Sequence, residues 1–220
     1  LPVAFDALTV GINPKNNFSK QLTIAEMKKM GEPAAKGKVT RWNQVNPQWP
    51  DQPMKLFGPG ADSGTFDYFT EAIVGKSKSS RGDFTASEDD NVLVQGVSRD
   101  VNGLGYFGYA YYVENQDKLK AVPIVNDKGQ AVAPSMEAVE KGTYAPLSRP
   151  IFIYISARSL AKPEVKEFVE YYMKNGGKLA KEVKYVPLPE SAYRVALEHV
   201  QKGKKGTVFG GVAEVGVTIE

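Results

Sequence analysis

Cysteine is absent from these 220 residues, and histidine occurs once, as His199. The first absence excludes a disulfide framework, a thiolate metal site and a cysteine nucleophile. It leaves the compartment open, since cytosolic and exported bacterial proteins alike can lack cysteine. No run approaches the roughly 18 to 20 apolar residues that cross a bilayer, and no basic-then-apolar leader stands at the start, so any export signal is expected outside this sequence. An excess of one charge is missing too: 28 basic against 25 acidic residues leave a net +3, which does not point to nucleic acid and is compatible with a small anion as ligand. What is present, 42% hydrophobic and 24% charged residues, is ordinary for a globular chain with room for one large domain or two small ones.

The most informative stretch is GPGADSGTFDYFTEAIVG, residues 58–75. A short apolar run ends in a glycine-rich turn, and Phe66, Phe69 and Ile73 then recur at the spacing that buries one face of a helix. Asp62 and Ser63 stand where its N-cap belongs. The first turn of a helix carries N–H groups without intrahelical partners and the positive end of the macrodipole, so small residues there can surround an oxyanion with donors. Ser63, Gly64 and Thr65 are the donors; the alternative is an ordinary capped helix after a turn.

Upstream, residues 1–14 read as a strand carrying Val3, Phe5, Leu8, Val10 and Ile12, closed by Pro14. Because such a strand must pair with something, the sequence is expected to begin in the middle of a fold. Thr23 with Glu26 predicts a capping box opening a short helix that stops at Gly31. Trp42 and Trp49 lie in a proline-rich loop and are expected to pack a surface rather than stack on ligand. Residues 54–57 form a short strand into the motif. After it, Ser87 to Asn91 give an acidic first turn to a helix through Leu93 and Val97, preferred over a calcium site because EF-hand spacing is lacking. Residues 103–112 predict a glycine-flanked strand feeding a tyrosine-bearing helix; their GxGxxG letters lack the context of a dinucleotide site. Residues 118–125 read as one strand, 135–141 as a helix, and 150–156 as a strand apolar on both faces, hence central in a covered sheet. A helix is predicted over 163–175, ended by Gly176 and Gly177, then helices over 178–183 and 191–201. The tail from Lys202 is expected to be an extension or an edge strand. Strands alternating with helices indicate an α/β protein.

In this order, LPVAFDALTVGINPKN, LTIAEMKKM, VTRWNQVNPQWP, DSGTFDYF, LGYFGYAYY, PLSRPIFIYIS and VPLPESAYRVALEHV cover nearly the whole chain. Together they resemble the phosphate-binding receptors of ABC-type phosphate importers, of the type II periplasmic binding protein superfamily. The resemblance implies two α/β lobes joined by crossing strands, with a ligand cleft between them and no catalysis. Residues 1–10 would be the crossing strand from lobe 1, 11–146 a complete lobe 2, and 147–220 the return crossing strand and the C-terminal part of lobe 1, most of whose N-terminal portion would be missing. It further implies inorganic phosphate as ligand, a membrane permease as partner, no cofactor, no metal, and a periplasmic or other extracytoplasmic location.

Carried over by position, Ser63, Gly64 and Thr65 match the family's phosphate-cradling residues. An arginine that many relatives place just before them is replaced here by Pro59 and Gly60, so Arg81, in the loop after the helix, is expected to supply the guanidinium. Arg149 either pairs with a carboxylate such as Asp6 or touches ligand. Asp62 either points inward, where it would accept the proton that hydrogenphosphate has and sulfate lacks, or only caps the helix. The competing reading is a serine hydrolase or phosphatase using Ser63, disfavoured because no GxSxG elbow surrounds Ser63 and His199 is remote in sequence. A further alternative is a non-transport surface protein or a receptor for another oxyanion on the same fold.

Overall fold

The computed structural model describes residues 1–207. The chain starts on β1 (Pro2–Ile12), the longest strand, buried along almost its whole length. A short β2 (Leu22–Thr23) leads into α1 (Ile24–Gly31). Its capping box forms as expected: Glu26 N–H donates to Thr23 Oγ1 at 3.1 Å and Thr23 N–H to Glu26 Oε2 at 2.8 Å. Then come α2 (Trp42–Val45), β3 (Lys55–Pro59), α3 (Gly64–Phe69), β4 (Thr85–Ser87), α4 (Asp90–Arg99), β5 (Gly103–Gly108) and α5 (Tyr109–Glu114). The remainder is β6 (Lys120–Ala121), β7 (Ile124–Val125), β8 (Ala131–Val132), α6 (Met136–Glu140), β9 (Ser148–Phe152), α7 (Ala157–Leu160), α8 (Pro163–Glu182) and α9 (Glu190–Gln201). No described helix is long and apolar enough to cross a membrane.

The main sheet runs β4-β3-β5-β1-β6, with β9 also paired to β1; β2, β7 and β8 form a second, small sheet. β1 is shared along its length. Its first half pairs antiparallel with β9, from Pro2 to Ala7, and its second half with β5, from Leu8 to Ile12. Since side chains alternate along a strand, Leu8, Val10 and Ile12 fall on one face, in the core cluster that also holds Met27, Met30, Phe66, Phe69 and Tyr106. The opposite face takes Phe107, which with Leu93, Val94 and Val97 of α4 makes a second cluster.

Several sequence expectations are corrected. The segment 118–125 is two strands, because Pro123 cannot donate to a ladder and the chain passes from one sheet to the other. Residues 150–156 are not a central strand: β9 ends at Phe152, pairs only with β1 among the described residues, and leaves Tyr154 80% exposed. Glycines 176 and 177 do not stop their helix. A Cβ on Gly176 would stand 2.6 Å from the Tyr193 ring, so the residue serves the close approach of α9, and α8 continues to Glu182. Gly176→Val should therefore cost about 1 to 3 kcal/mol by overpacking, read as a lower urea midpoint; an unchanged midpoint would contradict this packing role. The tryptophans form an edge-on cluster with Phe18, and Trp42 is fully buried. The expected tail strand falls partly on residues outside those described.

Candidate functional site

Ser63, rather than Asp62, caps α3. Its φ and ψ of −82° and 130° are extended, its hydroxyl accepts the Thr65 N–H at 3.2 Å, and its carbonyl accepts the Asp67 N–H at 3.1 Å. The turn before it closes through Ser63 N–H to Gly60 O at 3.1 Å. A side chain at Gly60 would have to displace the Glu88 carboxylate, which fills that space. Among the described residues the Gly64 N–H and the Thr65 hydroxyl have no hydrogen-bond partner, and Gly64 and Asp62 are exposed. The helix is anchored from behind by buried Phe66, Tyr68 and Phe69, with Phe69 stacked on Tyr106 at 3.9 Å between centroids. Beyond Phe69 the helix widens into a π-helical turn, Thr70–Val74, and ends at Gly75, whose φ of 93° favours glycine.

The guanidinium beside this turn belongs to Arg149. Its Nη2 lies 3.7 Å from the position a Cβ would take on Gly64. The guanidinium sits over the Tyr68 ring at 4.6 Å, and Nη2 donates to Asp6 Oδ2 at 3.3 Å. Of the alternatives open for Arg149, the carboxylate pair is formed, and that pair stands against the α3 turn. Tyr68, not singled out in the sequence, fixes the geometry: its hydroxyl sits between the carbonyl oxygens of Pro146 at 2.6 Å and Ser148 at 2.7 Å. The cue was its place beside Phe66 and Phe69 on a helix whose buried face is aromatic. Burial pushes the Asp6 carboxyl above its ordinary range, against the opposing pull of Arg149 and the Ala7 N–H.

Arg81 is not brought to the turn. It is 5% exposed and spends its donors elsewhere. Nε and Nη2 form a fork on Asp83 at 2.6 and 2.9 Å, while Nη1 donates to Met30 O at 3.1 Å and Val39 O at 2.8 Å. The apolar cavity that it borders with Met27, Met30, Phe69 and Tyr106 has no residue of the 62–65 turn in its lining. The physical reason is satisfaction: a neighbouring carboxylate and two carbonyls at the end of α1 and in the following loop take the guanidinium before any cleft can. Nor are Ser63 and His199 in contact. The Ser63 hydroxyl is used as a cap, and His199 Nε2 faces Lys204 Nζ at 3.3 Å on the far end of α9. Among the described residues no group of histidine and carboxylate side chains could hold a metal ion.

Residues 1–175 match the model of a PBP superfamily domain. Over all 220 residues the chain is 53% identical to Protein SphX of Synechocystis sp., of which it spans 65%. Over 206 residues it is 38% identical to the phosphate-binding protein PstS of Staphylococcus haemolyticus, covering 92% of this chain and 62% of that one. In structure it is similar to a possible phosphate binding protein from Planctomyces limnophilus, with a TM-score of 0.83 and 47% identity over 93% of this chain and 72% of the other. The chain thus spans just under two thirds of the curated relatives it matches.

Proposed function

Because this chain belongs to the PBP superfamily, with a type II periplasmic binding protein fold, we propose that it captures inorganic phosphate in a cleft between two lobes and delivers it to the membrane permease of an ABC importer. It acts outside the cytoplasm and performs no chemistry on its ligand. Residues 11–146 form one lobe; residues 1–10 and 147–220 carry the crossing strands and a part of the other, which the remaining length of the full protein completes. The observation that carries this reading is the meeting of an arginine with an unsatisfied helix start: Arg149 Nη2 beside Gly64, with the Gly64 N–H and the Thr65 hydroxyl still unpaired. Arg149 uses one N–H on Asp6, which leaves the rest of its donor fork for a tetrahedral oxyanion. The names borne by the relatives, phosphate-binding protein among them, support phosphate as that anion.

Ser63, Gly64, Thr65 and Arg149 are the binding residues, and Arg149 takes the place first expected of Arg81. Asp62 is exposed at the edge of the turn and is not the helix cap, which favours its other role. A carboxylate beside a bound anion repels it unless the anion brings a proton, so Asp62 selects hydrogenphosphate over sulfate. Calorimetric titration of the full-length protein should show phosphate binding and little response to sulfate, with Asp62→Asn narrowing the difference about tenfold. Absence of phosphate binding, or ester hydrolysis that stops in Ser63→Ala, would overturn the binding reading; a preference untouched by Asp62→Asn would remove only the role of Asp62.

A further inference from the structure

A carboxylate is out of place where Asp6 stands. By strand alternation Asp6 belongs to the row of Leu8, Val10 and Ile12, each at most 1% exposed, and a carboxylate in such a row loses hydration that only a good partner restores. Its register partner across the β1–β9 ladder is Arg149, whose guanidinium stands beside the start of α3. Two properties of the contact set it apart from an ion pair that only stabilises the strand pairing. First, it is a single bond of 3.3 Å and not the two-pronged fork that Arg81 makes on Asp83, so Asp6 restrains the guanidinium without consuming it. Second, the guanidinium is held on another side by the Tyr68 ring at 4.6 Å, and Tyr68 itself is tied to the carbonyls flanking Leu147, just before Arg149. The side chain, 31% exposed, is thereby kept from turning into solvent, where a free arginine would hold about 2 kcal/mol of rotamer entropy to be lost on binding.

We propose that Asp6 is a positioning residue of the anion seat, orienting the Arg149 guanidinium toward the first turn of α3 through one hydrogen bond while leaving its other donors for the ligand. This rests on the reading of residues 62–65 with Arg149 as the phosphate seat. Asp6 acts through Arg149 and does not touch phosphate. Its carboxylate also offsets the arginine charge, so that the seat attracts by directed hydrogen bonds more than by net positive potential.

A double-mutant cycle in the full-length protein, read by calorimetric titration with inorganic phosphate, tests this. Asp6→Ala should weaken phosphate binding about tenfold, the worth of one lost bond to a charged group. Asp6→Asn, which keeps an acceptor oxygen for Arg149, should stay within about threefold of the parent, a rescue by geometry without charge. In an Arg149→Ala background, Asp6→Ala should change nothing further, because neighbours acting through one another are not additive. If Asp6→Ala does not fold, Asp6→Leu, which matches its apolar row, takes its place in the cycle. Affinity unchanged in Asp6→Ala while Arg149→Ala binds weakly would overturn the positioning role and leave the seat standing. An equal loss in both backgrounds, or a loss in Asp6→Asn as large as in Asp6→Ala, would overturn it as well. Full affinity in Arg149→Ala would instead sink the seat itself.

Discussion

Replacing Arg81 with alanine is expected to destabilise the fold by about 3 kcal/mol, the lower end of what removing one member of a buried ion pair costs. The lower end applies because Asp83 keeps 31% of its side chain in water and can partly resolvate, whereas the Met30 and Val39 carbonyls lose their charged donor outright. The same clasp ties three pieces of backbone, since Gly37 N–H also donates to Asp83 Oδ2 at 2.9 Å. Urea unfolding of Arg81→Ala checks the magnitude; a change under about 1 kcal/mol would show that the clasp is dispensable. Acidity supplies an independent check. The hydrogen bonds from Arg81 hold the Asp83 carboxyl well below its ordinary range. Its contribution is therefore present above about pH 4, the ordinary aspartate value, and is lost as pH falls below it. Asp83→Asn should blunt that acid limb of the stability curve, and a limb of unchanged slope would assign it to other carboxylates.

Arg149→Ala is expected to lower phosphate affinity a hundredfold or more, from two charge-assisted hydrogen bonds of roughly 1.5 to 3 kcal/mol each. It should weaken folding as well, because Asp6 keeps only 14% of its side chain in water and the contact over the Tyr68 ring is lost too. The substitution does leave a buried carboxylate without its cation, so Arg149→Ala is best compared in an Asp6→Asn background, which removes that charge. Calorimetry of both reads the affinity loss free of any damage to the strand pair. Arg149→Lys should recover only part of it, since an ammonium offers a point charge in place of a planar fork. An affinity within threefold of the parent in Arg149→Ala would move the guanidinium contact elsewhere.

The contrast between these two arginines shows what could be read from the sequence. Local rules worked where one stretch contains both partners. The Thr23–Glu26 capping box and the Ser63 cap with Phe66, Phe69 and Ile73 behind it each depend on residues within a turn or two, and each forms. The pairing of β1 was legible as a need, because an apolar strand must find partners. What could not be read was competition between distant groups. Nothing in the letters around Arg81 shows that the carbonyls of Met30 and Val39 would face it, or that Asp83 would close a fork two residues away. Gly176 and Gly177 look like a stop because glycine serves both helix ends and close helix packing, and only the presence of Tyr193 on α9 decides between them. Residues 150–156 misled for a related reason: apolarity on both faces reports burial by something, not which edge is paired. Arg149 lay between these cases, its partner named in the sequence and its position over Tyr68 visible only in the fold.

The sharing of β1 between β9 and β5 has a further consequence, for the order in which the chain is made. Every ladder of β1 is non-local, and Asp6 waits for a partner 143 residues downstream. At a ribosomal rate of about 5 to 20 residues per second, that is a delay of about 7 to 30 s before the Asp6–Arg149 pair can close along this eleven-residue apolar strand. Productive folding must therefore outlast rival pairings of β1 with other nascent segments or other chains, and this strand is the point at which slowed synthesis or crowding would divert molecules into aggregates.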